Sequence, residues 1–588
     1  MQIENTLAPQ DPHTRRSRQS LPAQTVAEAY LAILKDRGVD VLYVGAGTDT
    51  ASIVEAYARA AESGLRYPLP VLAAHENLAV GMAHGYYMVT GRPQAVMLHV
   101  SVGMANAVCG LMNALRAQVP IFFTAGRTPL FESGPLGSRS SEIHWAQEMY
   151  DQAGMLRELV KWDYELRDGA NVEQVVDRGL NIAMTQPRGP VCLTLPREIL
   201  AQPLDHGHAL GAAPAVPSAA FPDTGSVRRL AQALAAAEFP VIVPGLSGGD
   251  AETVGMLADL CQRFAIGIAE AKVTRYMNAP SSHPLHLGHD LKQVFQHADA
   301  LLFLDTDVPW VHNQTQPRAQ AFIAHAGTDP QFVQYPLRSF AGDLSITCSA
   351  RSLIPQLAAE LEAICAERAL DTRRRKLAEH AQQWDGRVAA SIARDREQGG
   401  PITKLFLSHC LDQARPADAL VVNEYSLVRE ALSFDVPGTY YSLPTSGGLG
   451  WGVAAALGAK QALPDKDVIV VVGDGAYIFN NPAACHQAAA MHQLPIVIVI
   501  YNNQAWDAVQ LATFDMYPGQ HAAQSKRRDG AAPLSSLQPV PAFEQYAQAS
   551  NAHGERVERR EDLLPALQRA LTIARTEKRV ALLNVIGA

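Results

Sequence analysis

The sequence predicts an α/β protein made of three domains, each of them a doubly wound parallel sheet. Three observations lead to this prediction. At 588 residues the chain is too long for one hydrophobic core. Short apolar segments alternate with amphipathic helical segments, a pattern that is typical of parallel sheets. Two segments of different composition, one rich in Ala, Pro and Gly and one charged, divide the chain into three blocks.

The first domain is predicted over residues 23–200, after a polar segment at 1–22 that we expect to be a disordered lead-in. Thr25-x-x-Glu28 predicts a capping box at the start of the first helix. Strands and helices are then expected to alternate as strand 39–44, strand 69–73, helix 76–89, strand 94–99, helix 105–117, strand 119–124 and strand 190–196.

The other two domains follow the same logic. Residues 201–224 are predicted to be a linker, 225–366 a middle domain, 367–400 a charged helical linker and 401–588 a third domain. The predicted elements of these domains are strands 241–243, 300–304, 419–423, 467–472, 496–501 and 580–586, and helix 482–491.

Charge and composition exclude several classes of function. A net charge of −9 and a pI near 6.1 argue against nucleic-acid or anionic-membrane partners. The seven cysteines are scattered without a CxxC pair, which favours buried thiols in a reducing compartment. No signal peptide and no apolar run long enough for a membrane span are evident, so we expect a cytoplasmic protein with a small-molecule substrate.

The strongest chemical signal is Gly473-Asp474-Gly475, directly after the predicted strand 467–472. Glycines permit close approach of an anion to the backbone, and a following helix start favours a phosphate. The neighbouring predicted strand ends in Asn502-Asn503. Adjacent parallel strands end side by side, so Asp474 and an Asn oxygen are expected to share a hard cation such as Mg²⁺.

This pattern, GDG followed after 26 residues by Asn502-Asn503, resembles the signature of the thiamine-diphosphate enzyme family. The resemblance implies thiamine diphosphate and Mg²⁺ as cofactors, with pyrimidine-binding, middle and diphosphate-binding domains in chain order. It also implies Mg²⁺ ligation by Asp474, Asn503 and the carbonyl oxygen of Ala505. Residues 473–476, which end in Ala476, are implied to contact the diphosphate.

Further cofactor contacts are implied by the same resemblance. The family has a glutamate at the start of a first-domain helix that hydrogen-bonds the pyrimidine ring, and Glu76 matches it. Gly447-Gly448-Leu449-Gly450 resembles the family's cofactor loop, with a carbonyl acceptor at Gly447 and an apolar support at Leu449. Ser426 is implied to contact the diphosphate, although Leu427 replaces a hydroxyl that relatives tend to have. Asn106 is implied to lie near the cofactor.

The reaction is suggested by Leu98-His99-Val100-Ser101, which is similar to the benzoylformate-decarboxylase subgroup of the family. There a histidine follows the glutamate by 23 residues, as His99 follows Glu76 here. A histidine relays protons near neutral pH, whereas the alternative is a core histidine that ends a strand. A second active-site histidine is implied at His283, with His286 and His289 as rivals. Thr48 is the nearest equivalent of the subgroup's substrate-binding serine.

The sequence therefore predicts a non-oxidative 2-oxo acid decarboxylase, with carboligase activity as a possible addition. The alternative is a carboligase of the acetolactate-synthase type, whose domain layout is the same. FAD is not expected, because the middle domain has no clear flavin signature. The family places its cofactor between two subunits, which implies a homodimer at least and a homotetramer as a dimer of dimers.

Overall fold

The computed structural model describes residues 19–204, 208–365 and 367–587. It contains three separate sheets in which every strand pair is parallel, with helices packed against them. The predicted α/β class with three parallel-sheet domains is therefore confirmed. The sheets fall within the ranges 23–200, 225–366 and 401–588 that the sequence analysis assigned to the three domains.

The first sheet has six strands in the order β3-β2-β4-β5-β7-β6. Its strands are β2 (Val41–Val44), β3 (Leu69–Leu72), β4 (Gln94–Leu98), β5 (Ile121–Arg127), β6 (Asp163–Glu165) and β7 (Val191–Pro196). Its helices are α1 (Val26–Asp36), α2 (Ala51–Ser63), α3 (Glu76–Thr90), α4 (Val100–Arg116), α5 (Ile143–Ala146), α6 (Val172–Met184) and α7 (Arg197–Leu200).

The middle sheet has five strands in the order β10-β9-β11-β12-β13. They are β9 (Pro240–Pro244), β10 (Gly267–Ile268), β11 (Ala300–Leu304), β12 (Phe322–Gly327) and β13 (Leu344–Thr347). The helices of this part are α8 (Thr224–Ala236), α9 (Ala251–Phe264), α10 (Leu291–His297) and α11 (Ala350–Ile364), and the 32-residue helix α12 (Glu367–Gln398) leads to the third sheet.

The third sheet has six strands in the order β15-β14-β16-β17-β19-β18, the same relative order as in the first sheet. They are β14 (Leu420–Glu424), β15 (Tyr440–Ser442), β16 (Val468–Gly473), β17 (Val497–Asn502), β18 (His553–Val557) and β19 (Ala581–Ile586). Its helices are α13 (Lys404–Ala414), α14 (Gly452–Ala462), α15 (Asp474–Phe479), α16 (Pro482–Met491), α17 (Asp507–Met516), α18 (His521–Asp529), α19 (Phe543–Ala549) and α20 (Arg560–Thr576).

The structure differs from the sequence-based expectations mainly near the N-terminus. Residues 1–18 of the predicted lead-in lie outside the described residues. Residues Gln19–Leu21, which belong to that segment, form strand β1, and it pairs antiparallel with β8 (His208–Leu210) of the predicted linker. A three-residue strand whose partner is almost 200 residues away leaves no local pattern in a sequence. Within the described ranges, none of the helices combines the length and apolar character needed to cross a membrane.

Helices α3 and α14 join the first and third sheets by unusually close packing. A Cβ atom added at Gly85 would lie 1.9 Å from the carbonyl oxygen of Ala455, and one added at Gly458 would lie 1.9 Å from that of Met82. Buried apolar side chains of both domains form one continuous cluster around this contact. The absence of side chains at these glycines therefore lets the two helix backbones meet directly.

Candidate functional site

The predicted site residues lie at equivalent places in the first and third sheets. In each sheet the chain's first and third strands are neighbours, and their connections leave in opposite directions. Ligands of open α/β sheets bind at such switch points, beyond the carboxyl ends of the strands. In the first sheet the switch point lies between β2 and β4, and in the third sheet between β14 and β16.

Glu76 begins helix α3 at the wall of a cavity of about 410 Å³. Its Oε2 accepts a hydrogen bond of 3.0 Å from the amide of Asn106 on helix α4. Gly45 and Gly103 pack against the Glu76 side chain, where added Cβ atoms would lie 3.9 and 3.7 Å from its Cγ. Helix α16 closes the opposite wall with Met491. Glu76 and Asn106 thus lie together, and Glu76 lines the cavity.

His99 lines the same cavity as Glu76. His99 lies between the end of β4 and the start of helix α4. This helix begins at Val100, whereas the sequence pattern predicted a start at 105. Nδ1 of His99 lies 2.5 Å from Oδ1 of Asp49, a buried residue of the loop after β2. The hydrogen bond to Asp49 raises the pKa of His99, although partial burial opposes it. Asp49 was not selected by sequence reasoning.

Thr48 precedes Asp49 in the loop after β2 and lines a small second cavity together with His99. Its side chain is exposed, and its carbonyl oxygen accepts a hydrogen bond from Arg197. The structure therefore brings Thr48, His99 and Glu76 to one edge of the first sheet. Their roles in binding and catalysis stay predictions.

Asp474 begins helix α15 at the carboxyl end of β16 and is only 3% exposed. Its Oδ1 accepts the N–H of Gly475 at 2.8 Å, whereas its Oδ2 is buried without a hydrogen-bond partner among the described residues. Burial raises the pKa of Asp474, and nearby main-chain N–H groups, among them those of Gln504 and Ala505, oppose the rise. Buried carboxylate oxygens are normally paired or bound to a metal, so this atom indicates a cation site.

The other predicted ligands come from the neighbouring strand. Gly473 of β16 is paired with Tyr501 of β17, so Asn503 and Ala505 follow β17 at the same edge of the sheet. The oxygen donors are a carboxylate, an amide and a main-chain carbonyl, the types that Mg²⁺ prefers. The donor set and the unpaired Asp474 oxygen therefore fit a magnesium ion.

The residues predicted to contact a diphosphate surround the same point. An added Cβ at Gly473 would lie 3.5 Å from Oγ of the buried Ser426. An added Cβ at Gly475 would lie 2.2 Å from the Trp506 ring, so this glycine is required for the packing there. Main-chain N–H groups at the start of a helix and a buried hydroxyl fit a phosphate group.

The loop Gly447–Gly450 leads into helix α14, and Glu424 fixes its end. Gly447 has φ +68°, a left-handed conformation that favours glycine. The fully buried Glu424 carboxylate accepts the N–H groups of Gly450 and Gly452, each at 2.9 Å. Leu449 is partly buried against the apolar cluster shared by the first and third domains. Sequence reasoning did not assign Glu424 a role.

His283 does not line the cavity at Glu76 in the described part of the chain. Its Nε2 lies 3.1 Å from the carbonyl oxygen of Ala258, and its Nδ1 accepts the N–H of Leu285 at 3.2 Å. Within one chain His283 is thus engaged by backbone groups of the middle domain. Its active-site role stays a prediction.

The rival histidines form a buried cluster with Glu270, in which ligand atoms lie within 4.8 Å of one another. Glu270 contacts His286 at 3.1 Å and accepts from Asn278 at 3.0 Å, and Arg429 of the third domain lies 4.0 Å away. Burial opposes ionisation, but the hydrogen bond to His286 and the charges of His289, Arg429 and His286 lower the pKa of Glu270 to about 2. Burial lowers the pKa of His289 to about 3. Because Arg429 already supplies positive charge, the cluster is explained as an interdomain ion-pair network.

A larger cavity, about 920 Å³, lies elsewhere, between the middle domain, helix α12 and the third domain. Its wall includes Lys272, Arg275, Asp307 and Trp384. Of the predicted site residues that the structure describes, His289, a rival candidate for the second histidine, contributes to its wall, and the others do not. The smaller cavity at Glu76 and His99 is the better candidate for chemistry, because it combines a carboxyl group with a histidine of raised pKa.

Comparisons with known proteins identify the domains to which these residues belong. The N-terminal TPP binding domain of thiamine pyrophosphate enzymes matches residues 24–155, and their C-terminal TPP binding domain matches residues 424–585. The first range contains Glu76 and His99, and the second contains Asp474 and Asn503.

Individual relatives are distant but cover most of the chain. Benzoylformate decarboxylase of Pseudomonas aeruginosa is 26% identical over 501 residues, which are 83% of this chain and 87% of that protein. The acetolactate synthase isozyme 3 large subunit of Escherichia coli is 24% identical over 532 residues, 87% of this chain and 86% of that protein. The solved thiamine diphosphate-dependent 4-hydroxybenzoylformate decarboxylase of Rhodococcus jostii superimposes with a TM-score of 0.75 at 22% identity, covering 96% of this chain and 99% of that one.

Proposed function

The chain belongs to the thiamine pyrophosphate enzymes, and we propose that it catalyses the non-oxidative decarboxylation of a 2-oxo acid. The proposed cofactors are thiamine diphosphate, which is another name for thiamine pyrophosphate, and Mg²⁺. The observation that carries the reaction is that His99 and Glu76 share one cavity. The similarity to a benzoylformate decarboxylase over 83% of this chain supports the same reaction class.

The proposed roles of the residues in cofactor binding follow from the kinds of atom that they offer. Asp474, Asn503 and the carbonyl oxygen of Ala505 would hold Mg²⁺, which neutralises the diphosphate. Ser426 and the main chain at Gly473-Asp474-Gly475-Ala476 would bind the diphosphate oxygens. Gly447 and Leu449 would orient the ring system through a carbonyl acceptor and an apolar contact.

The proposed catalytic roles concern proton positions. When bound, thiamine diphosphate supplies a thiazolium ring that takes up the electron pair left as CO₂ departs. Glu76, oriented by Asn106, would hold a proton at the pyrimidine ring. His99 would move a proton at the oxygen of the 2-oxo group, and Thr48 would bind the substrate carboxylate. His283 is proposed as the second proton carrier on the basis of the family resemblance.

We also propose that two copies of the chain complete each site, with a homotetramer as the assembly of two such dimers. Neither Asp474 nor Asn503 lines the cavity at Glu76 within one chain. Next to Glu76, helix α4 has Val102 and Met112 exposed by 47% and 38%. Near Asp474, Phe479 is 53% exposed. Large apolar side chains around both half-sites favour a partner chain that covers them.

A cytoplasmic location is proposed from the state of the thiols. All seven cysteines are free. Free buried cysteines are typical of a reducing compartment.

The decisive measurement is CO₂ and aldehyde release from a panel of 2-oxo acids, from pyruvate to benzoylformate, with thiamine diphosphate and Mg²⁺ added. We expect release with at least one acid and a loss of about 100-fold or more in Glu76→Gln, the usual effect of removing an acid–base group. The exposed Glu55→Gln serves as the matched control and should keep full activity. No release from any acid would contradict the proposal.

The second candidate is a carboligase, favoured by the similarity to an acetolactate synthase subunit over 87% of this chain. In the same assay, formation of acetolactate from pyruvate without free aldehyde would support it. FAD is not expected in the proposed decarboxylase, and a yellow purified protein would instead favour this second candidate.

A further inference from the structure

A second carboxylate, Asp49, lies inside the half-site formed by the first domain. It belongs to the helical turn Thr48–Thr50 after β2 and is 2% exposed. One carboxylate oxygen, Oδ1, lies 2.5 Å from Nδ1 of His99. The other, Oδ2, accepts the N–H of Val100 at 3.2 Å. Both oxygens therefore bind the short segment that carries His99.

Two glycines make the space for this pair. An added Cβ at Gly126 of β5 would lie 1.7 Å from Oδ2 of Asp49, and one at Gly47 would lie 2.2 Å from Nδ1 of His99. Real Cβ atoms cannot approach so closely, and neither Asp49 nor the His99 ring can move away without losing the hydrogen bond between them. The backbone around the pair is thus shaped to hold both side chains in contact.

The other ring nitrogen of His99 faces an amide. Its Nε2 lies 3.3 Å from Nε2 of Gln147, and Oε1 of Gln147 is buried without a partner among the described residues. As oriented, the amide donates to an unprotonated His99 Nε2. A half-turn of the amide would bring Oε1 to face Nε2 and accept its proton. Gln147 can therefore serve both protonation states of His99.

We propose that Asp49 is the positioning residue of His99: it binds the Nδ1–H group and so leaves Nε2 as the atom that exchanges protons. A buried carboxylate that fixes a histidine tautomer in this way is a general device of proton-transfer sites. The link to catalysis rests on the proposed decarboxylase function. The tautomer and the protonation equilibrium of His99 do not depend on that function.

Charged and titratable groups face His99 from several elements. The hydrogen bond and the charge of Asp49, together with the charge of Glu76, raise the pKa of His99 against the effect of burial. The charged or titratable residues that line the two cavities shared with His99 are Asp49 in the loop after β2, His75 and Glu76 at the start of α3, Arg127 on β5, His144 on α5 and Arg197 on α7. Asp49 is the one carboxylate among them in direct contact with the imidazole.

The first test uses the full-length wild-type enzyme labelled with ¹³C and ¹⁵N in its histidines, with His99→Gln to identify the signal. At a pH above the pKa of His99, the ring is expected to carry its proton on Nδ1. A neutral ring protonated on Nε2 would overturn the proposal. This result needs no substrate and no substitution of Asp49.

The second test compares Asp49→Asn with Asp177→Asn, which removes a buried, ion-paired carboxylate on helix α6. Asp49→Asn should lower the pKa of His99 by about 1 to 3, the usual effect of losing a contacting opposite charge. Asp177→Asn should leave it unchanged. An unchanged pKa of His99 in folded Asp49→Asn would contradict the proposal.

Activity adds a separate readout. In Asp49→Asn we expect kcat to fall about 100-fold or more with little change in KM, and the pH limb assigned to His99 to move to lower pH. A rise in KM alone would contradict the positioning role. The two proposals can fail separately. If the wild-type enzyme releases no CO₂ from any 2-oxo acid but the pKa of His99 falls in Asp49→Asn, the proposed function is wrong, whereas the positioning role of Asp49 is supported.

Discussion

At the scale of single residues, Glu424 shows how a buried charge organises a binding loop. Its carboxylate is fully buried at the end of β14 and accepts N–H groups of Gly450 and Gly452 and the amide of Asn480. Burial raises the pKa of Glu424, and these donors oppose the rise. A negative charge at the start of helix α14 is also favourable to the helix dipole. Glu424 thus holds the end of the Gly447–Gly450 loop.

Replacing this carboxylate should weaken the protein and its cofactor site together. In Glu424→Gln an N–H₂ group faces backbone donors, so the free energy of unfolding should fall by about 1–3 kcal/mol, the cost of an unsatisfied buried group. Urea unfolding measures the loss, and titration with thiamine diphosphate should show weaker binding. The exposed Glu55→Gln is the control. Equal unfolding free energies in Glu424→Gln and wild type would contradict this role.

The residue scale also shows what a sequence can and cannot predict about the site. Asp474 and Asn503 were predicted because each follows an apolar strand, and strand ends meet at one edge of a parallel sheet. Asp49 was missed because its partner His99 is 50 residues away and no local pattern connects them. Glu424 was missed for the same reason, since its partners begin 26 residues later.

At the scale of elements, the contact between α3 and α14 determines where the first and third domains lie. Gly81 meets the side chain of Ala454, and Gly85 meets the backbone of Ala455. Helix α3 begins with Glu76, and helix α14 follows the Gly447–Gly450 loop. One helix pair therefore sets the position of residues from both half-sites.

A methyl group at this contact should separate the two helices. Gly85→Ala is expected to lower the free energy of unfolding by about 1–3 kcal/mol, as overpacking does in other cores. Gly255→Ala in helix α9 is the matched control, because an added Cβ there meets nothing within 4 Å. The control should gain about 0.5–1 kcal/mol from helix propensity. Equal free energies of unfolding in Gly85→Ala and Gly255→Ala, measured in urea, would show that α3 and α14 do not pack this closely in solution.

Element prediction succeeded where the hydrophobic period was strong. The predicted strand 300–304 and helix 482–491 coincide with β11 and α16. Helix α4 was predicted to start five residues too late, because its first turn contains Ser101 and Gly103 and shows no clear amphipathic pattern. Strand β1 was not predicted at all, since its pairing with β8 is a long-range contact.

At the scale of the whole molecule, the first and third sheets share one strand order and present their half-sites at matching switch points. Sequence alternation predicted the three parallel sheets, but it gave no sign of this equivalence, because the two domains lack obvious sequence identity. The equivalence bears on assembly. A protein with one half-site in each of two similar domains can pair them between copies.

Mixing defective chains tests that assembly directly. Glu76→Gln and Asp474→Asn should each be inactive alone, whereas co-expressing both should restore about a quarter of wild-type activity, because half of randomly paired dimers carry one intact site of two. Differently tagged chains allow the mixed dimers to be isolated and assayed. Co-expression of Glu76→Gln with His99→Gln is the control and should restore nothing, since both changes fall in the first domain. Equal lack of activity in both mixtures would place the whole site in one chain.

The two glycines beside the Asp49–His99 pair bear on how this cavity could be redesigned. Gly47 and Gly126 carry no functional group, yet any side chain there would expel the imidazole or its carboxylate. Both positions should therefore stay glycine in any redesign. The opposite wall, where Gln487 and Met491 of helix α16 face the cavity with exposed side chains, is adjustable. Efforts to change the accepted substrate should therefore vary α16 and keep both glycines.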